Sequence, residues 1–189
     1  PRICIIDSGV QEGHRYLAPA IIGGESVCLL KDTDDVSDCV EVGGHGTRVT
    51  GAVLYSGQIP TQGDYQLPCW IRNIRVLDDN NMMPDGLNPP LVIQRIVKNF
   101  YLEKKVRSKL YNHSIGSSTP CRLKHMSAWA AEIDNQSYDH DILFIQAAGN
   151  IPSNIIEAHL QAGYDYPAYL LRPLNRVSNP AQSLQALTV

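Results

Sequence analysis

Gly43-Gly44-His45-Gly46-Thr47-Arg48-Val49-Thr50-Gly51 is the stretch on which the reading of this chain turns. A histidine between glycines leads into Val49, Ala52 and Val53, an apolar i, i+3, i+4 set that predicts one face of a helix aimed at a core. His45 then stands at a helix start. The helix is expected to reach Tyr55, with Ser56-Gly57-Gln58-Ile59-Pro60 stopping it. The positive end of a helix dipole disfavours imidazolium, so a histidine there is a neutral base unless a carboxylate holds its protonated form.

Working outward, Arg2-Ile3-Cys4-Ile5-Ile6-Asp7-Ser8-Gly9-Val10 is an apolar run closed by an aspartate and a glycine turn. It predicts a buried strand with an acid at its carboxyl end. Asp141 to Asn150 predicts a second buried strand, ending in Ala147-Ala148-Gly149 and the amide of Asn150. Trp70 to Leu77 and Val106 to His113 read as further strands, the latter delivering Ser114-Ile115-Gly116 to the same edge as Asp7. Ile93, Ile96, Val97 and Phe100 follow Asn88-Pro89-Pro90 at helical spacing, and Met126, Trp129, Ala130 and Ile133 repeat that period, their Met and Trp facing a core. Strands alternating with helices imply right-handed crossovers and an α/β fold, doubly wound, with a mainly parallel sheet covered by helices on both faces. In such sheets ligands bind outside the carboxyl ends of the strands, which brings Asp7, Ser114 to Gly116 and Asn150 to one cleft.

Four ordered motifs, Asp-Ser-Gly at 7–9, His-Gly-Thr at 45–47 with Val49 and Gly51, Ser-Ile-Gly at 114–116 and Ala-Ala-Gly-Asn at 147–150, resemble those of the subtilisin-like serine proteases. The resemblance runs from residue 3 to residue 189. It implies a truncated subtilisin-like fold, with residues 1–189 forming one partial peptidase domain. It also implies an Asp-His-Ser triad in that chain order, of which subtilisin is the type case. Asp7 would orient the imidazole of His45, His45 would act as the base, and Asn150 would donate to the oxyanion. Ser114, Ile115 and Gly116 would pair the substrate backbone, while Ala147, Ala148 and Gly149 would line a side-chain pocket. The family's nucleophile segment, Gly-Thr-Ser-x-Ala, does not occur in the sequence, so the serine is expected downstream of Val189 and the chain alone is expected to be inactive.

Composition bounds the alternatives. The 189 residues are 43% hydrophobic and 19% charged, which suits one globular domain with an ample core. A formal net charge of -3 without a Lys/Arg cluster gives no electrostatic footprint for nucleic acid. No apolar run is long enough for a membrane span. Five cysteines cannot all pair, and Cys4 sits within a predicted buried strand, so a reducing, cytoplasmic setting is expected, with a Cys28–Cys39 bridge as the alternative.

Asp32, Asp34, Asp35, Asp38 and Glu41 crowd ahead of His45. They read as a solvated loop, the alternative being a site for a calcium ion or basic substrates; their spacing matches no calcium loop, and no cofactor is expected. The Asp78-Asp79 pair reads as a solvated turn, and His14 as a loop residue. His113, His125, His140 and His159 form no metal pattern. Asn154-Ile155-Ile156-Glu157 predicts a capping box, with Gly163 ending the helix. Of two candidates for the family's Tyr-Pro-Ala step, Asn179-Pro180-Ala181 suits the spacing to the final strand, Ala186 to Val189, better than Tyr166-Pro167-Ala168. Residues 166–178 are then an insertion near the cleft.

The partner expected is a peptide or protein substrate. Apolar surface left uncovered by a partial domain leads to an expectation of self-association. Two other readings compete: a peptide-binding or scaffold module that has lost its serine, and another parallel α/β enzyme pairing His45 with a metal.

Overall fold

The computed structural model describes residues 1–41, 43–57 and 59–189; Gln58, in the predicted helix stop, lies outside them. Among the described residues, six strands form one sheet: β1 (Arg2–Asp7), β2 (Val27–Cys28), β3 (Trp70–Arg75), β4 (Leu110–His113), β5 (Leu143–Gln146) and β6 (Leu187–Thr188). Their spatial order is β2-β3-β1-β4-β5-β6, and every pairing is parallel. The helices are α1 (Gly46–Leu54), α2 (Pro89–Val97), α3 (Ala128–His140) and α4 (Ser153–Gln161).

Strand alternation splits the core into two layers. Cys4, Ile6, Ile74, Tyr111 and Phe144 point to the side of α2 and α3, where Ile93, Ile96, Val97, Trp129 and Ile133 meet them. Ile5 and Ile71 point the other way, against Leu54 of α1. Side chains two apart share a face of a strand, so Ile5 cannot join the layer of Cys4 and Ile6. Helices therefore cover both faces, as the alternating pattern predicts.

Local chemistry explains the helix ends. The Asn88 side chain accepts from the Leu91 amide, and Pro89 and Pro90 occupy positions whose N–H groups need no helical partner. Ser127 caps α3 by accepting from the Ala130 amide. Phe100 completes the predicted α2 stripe from a π-helical turn, Lys98–Leu102. Arg72 of β3 anchors that turn and the segment leading into β4: its fully buried guanidinium donates to the carbonyls of Phe100 and Val106, to the Ser108 hydroxyl and to Glu25.

Several expectations need correction. The fully buried residues of α1 are Gly46, Thr50 and Leu54; of the predicted set, Val49 and Val53 pack half-buried against the core, while Ala52 is exposed. Val106 is exposed and lies before β4, because its carbonyl is claimed by Arg72 rather than by a strand. Met126 precedes α3 and is 40% exposed, so it is not core, whereas Trp129 is buried. No capping box forms at α4, whose N-cap is Pro152 and whose helix already includes Asn154; Gly163, in the left-handed region, does follow its end. Cys28 and Cys39 are not bridged, and all five cysteines are free. Among the described residues, no helix is long and apolar enough to cross a membrane.

Candidate active site

Asp7 ends β1 and is wholly buried. Its Oδ1 accepts from the Ser8 amide at 2.8 Å and from Nδ1 of His45 at 2.7 Å. A carboxylate can only accept, so the imidazole proton on this side sits on Nδ1, leaving Nε2 bare for chemistry. Oδ2 of Asp7 is buried and finds no hydrogen-bond partner among the described residues.

His45 is the N-cap residue of α1, with its side chain 33% exposed. Partial burial and the nearby Arg48 charge oppose its cation. The hydrogen bond to Asp7 outweighs both, so the imidazole titrates above its ordinary value. Asp7 is therefore the carboxylate that a histidine at a helix start requires if it is to hold imidazolium.

The first turn of α1 is secured from outside the helix. The Ser8 hydroxyl accepts from the Gly46 amide at 3.0 Å and reaches Oδ1 of Asp38 at 2.9 Å, while Oδ2 of Asp38 accepts from the Thr47 amide at 2.8 Å. These bonds satisfy amides that every helix start leaves without intrahelical partners. Asp38 is 4% exposed, which corrects the reading of the whole acidic run as solvated. Asp35 is exposed and pairs with Arg75 at 3.6 Å, and Asp79 meets the same guanidinium at 2.5 Å. Among the described residues, no three His, Cys, Asp or Glu side chains gather as metal ligands would.

Gly46 allows the close approach on which the pair depends. A Cβ there would run into the Gly9 carbonyl oxygen and touch Asp7, so the helix start abuts the end of β1 only without a side chain. Ser8 and Asp38 escaped the sequence reading as site residues. The only available signal for Asp38 was an acid upstream of a helix start, and it lies too far along the chain for an ordinary N-cap.

The remaining motif residues occupy neighbouring strand ends. Register pairs Ile6 with His113 and His113 with Gln146, so Ser114-Ile115-Gly116 and Ala147-Ala148-Gly149-Asn150 leave the sheet beside Asp7. With strands about 4.8 Å apart, β1 and β5 are about 10 Å from each other. Gly149 has φ +105°, and a Cβ on it would strike Ser178. Asn150 is exposed. Ala148, Gly149, Asn150 and Ser118 line a pocket of about 460 Å³, together with Leu170 and Leu174 from the 166–178 segment. A larger hollow of about 660 Å³ lies along α1 at Arg48, Gly51, Ala52 and Tyr55, with His14 and Tyr16 opposite; neither Asp7 nor His45 lines it.

A parallel α/β sheet carrying an acid-oriented histidine at its carboxyl edge defines the class of protein. The model of the Subtilase family matches residues 1–189, and the chain belongs to that family. No curated protein matches it. Among solved structures it is similar to a psychrophilic subtilisin-like protease, Apa1, from the Antarctic psychrotroph Pseudoalteromonas sp. AS-11, at a TM-score of 0.62 and 17% identity over 99% of this chain and 35% of that one. A lanthipeptide protease matches at a TM-score of 0.62 and 18% identity, over 99% of this chain and 47% of its own. The MycP3 protease of a type VII (ESX-3) secretion system matches at 0.54 and 19%, over 99% and 51%. At these identities the likeness establishes the fold, and this chain spans between 35% and 51% of the length of those proteins.

Proposed function

We propose that this chain supplies the acid and base of a serine-type endopeptidase, with the nucleophile carried by sequence that follows Val189. The observation that carries the reading is the 2.7 Å contact from His45 Nδ1 to the buried Oδ1 of Asp7, which leaves Nε2 as the base.

In this mechanism Nε2 of His45 takes the serine proton as Oγ attacks the scissile carbonyl, and Asp7 stabilises the imidazolium that forms. The side-chain amide of Asn150 donates to the oxyanion. His45 then returns the proton to the leaving amine, and the acyl-enzyme is hydrolysed by the same steps with water in place of the amine. Ser114 to Gly116 bind the substrate backbone as an added strand, and Ala147 to Gly149 line the pocket for the side chain before the cut. Nucleophile, base and oxyanion donors are all protein groups, so the reaction as drawn calls for no cofactor. Without the serine, the 189-residue chain is inactive by itself. Self-association belongs to the same reading, through apolar surface that the rest of a peptidase domain would cover.

Fluorophosphonate labelling of the protein extended through its downstream segment, in wild type and His45→Ala, tests the proposal. Labelling that requires His45 is the expected result. An unlabelled but folded wild type would overturn it in favour of a peptide-binding module without catalysis.

A further inference from the structure

Gln146 ends β5 and His113 ends β4, and register places them side by side. Both are buried, Gln146 at 0% and His113 at 1% exposure, and the proposed mechanism uses neither. Nε2 of Gln146 donates to the Ile115 carbonyl at 2.8 Å and to the Ala147 carbonyl at 3.0 Å. Two carbonyls can only accept, which fixes the orientation of the amide and turns Oε1 to Nδ1 of His113, 2.5 Å away. His113 therefore carries its proton on Nδ1, and its ring stands edge-on to Trp129 at 5.4 Å. Burial pushes this imidazole down to about 4, against the opposing effects of the Gln146 bond and the Asp7 charge, so it is neutral where it donates.

One side chain thus bridges two loops that leave adjacent strands: Ile115 belongs to the segment assigned to the substrate backbone, Ala147 to the segment assigned to its side chain. We propose that Gln146, held in orientation by His113, is a positioning residue that sets the separation of these two segments and so the fit of the bound substrate. The inference rests on the peptidase reading for its substrate. An apolar side chain at either position would leave the carbonyls or the amide unpaired in a buried site, and the segments would lose their common anchor.

The test uses Gln146→Leu, which keeps bulk and removes the bridge, and His113→Leu, which keeps the bridge but frees its orientation. In the protein carrying the nucleophile, Gln146→Leu is expected to lower kcat/KM for peptides by roughly tenfold to a hundredfold, mainly through KM, and to relax the discrimination among side chains before the cut. Labelling by a small fluorophosphonate, which depends on the triad more than on the pocket, falls less. His113→Leu changes the same quantities in the same direction and by less. The Nδ1–H proton resonance of His113 shifts in Gln146→Leu. Unchanged peptide kinetics in a folded variant, or labelling and peptide hydrolysis falling in parallel, would overturn the proposal. Should wild type fail to label, the peptidase reading fails separately; weaker peptide binding by Gln146→Leu than by wild type in fluorescence anisotropy then supports the bridge, and equal binding sinks it.

Discussion

The Ser8 hydroxyl lies 2.9 Å from Oδ1 of Asp38, thirty residues along the chain, and both hold the amides that begin α1. One serine next to the candidate catalytic acid thereby joins that acid, the helix start and a buried carboxylate into a single arrangement. Asp38→Ala strips the Thr47 amide of its partner and leaves the Ser8 hydroxyl to donate only to Oδ1 of Asp7, at 3.2 Å. It is expected to cost about 1–3 kcal/mol, read as a lower urea midpoint with an unchanged slope. An unaltered midpoint would show that the cap carries no net stability.

His45 gives a pH dependence with a defined sign. Its folded pKa lies above the ordinary value, chiefly through the Asp7 hydrogen bond. The stabilisation is fully present below the unfolded value of about 6.5 and is lost as pH rises through the raised folded value. Asp7→Asn is expected to lower the His45 pKa in an NMR titration of its ring protons. A titration unmoved by that change would remove Asp7 as its cause.

Glu25 behaves in the opposite sense. Arg72, with Lys104 and Arg2, holds its carboxyl below the usual glutamate range. Its contribution is present above the unfolded value of about 4.3 and is lost as pH falls through the lower folded value. Glu25→Gln should flatten the acid limb of the stability profile. Arg72→Met should be worse, by about 1–3 kcal/mol, since it takes the donor from the Val106 carbonyl and the buried Ser108 hydroxyl and leaves Glu25 with Arg2 and Lys104 alone.

Gly46→Ala places a methyl group against the Gly9 carbonyl oxygen and Asp7. Relief requires α1 to move off the end of β1. A loss of about 1–3 kcal/mol is expected in thermal or urea unfolding, with the His45 pKa falling as the Asp7 contact lengthens. Wild-type stability and titration together would show that the approach is not tight.

Asn150→Ala tests the oxyanion role in the active protein. The expected loss is about a hundredfold to a thousandfold in kcat with KM little changed, the range for one such donor, whose type case is subtilisin. A rise in KM alone would assign Asn150 to substrate binding.

Much of this molecule was legible in its sequence because the governing interactions are short-ranged. Apolar runs leading to Asp7 and toward Asn150 specify strands with polar carboxyl ends, Asp7 and Gln146, and the spacing of Ile93, Ile96, Val97 and Phe100 specifies a helix whatever lies beneath it. Those strand ends fall on one edge because all pairings are parallel, so the candidate site follows from the alternation of strand and helix. Tertiary structure decided the rest. The inner face of α1 combines its apolar residues Val49, Val53 and Leu54 with the approach of Gly46 to Gly9, and that approach is visible only in the fold. Asp38 looks like one acid in a solvated run until the chain folds it beneath the helix start. Gln146 and His113 read as ordinary strand residues until β4 and β5 align them. Period and turn chemistry act over a few residues and can be read along the chain. A buried polar group must instead find its partner wherever the fold brings one, and that choice is made by register and packing between segments far apart in sequence.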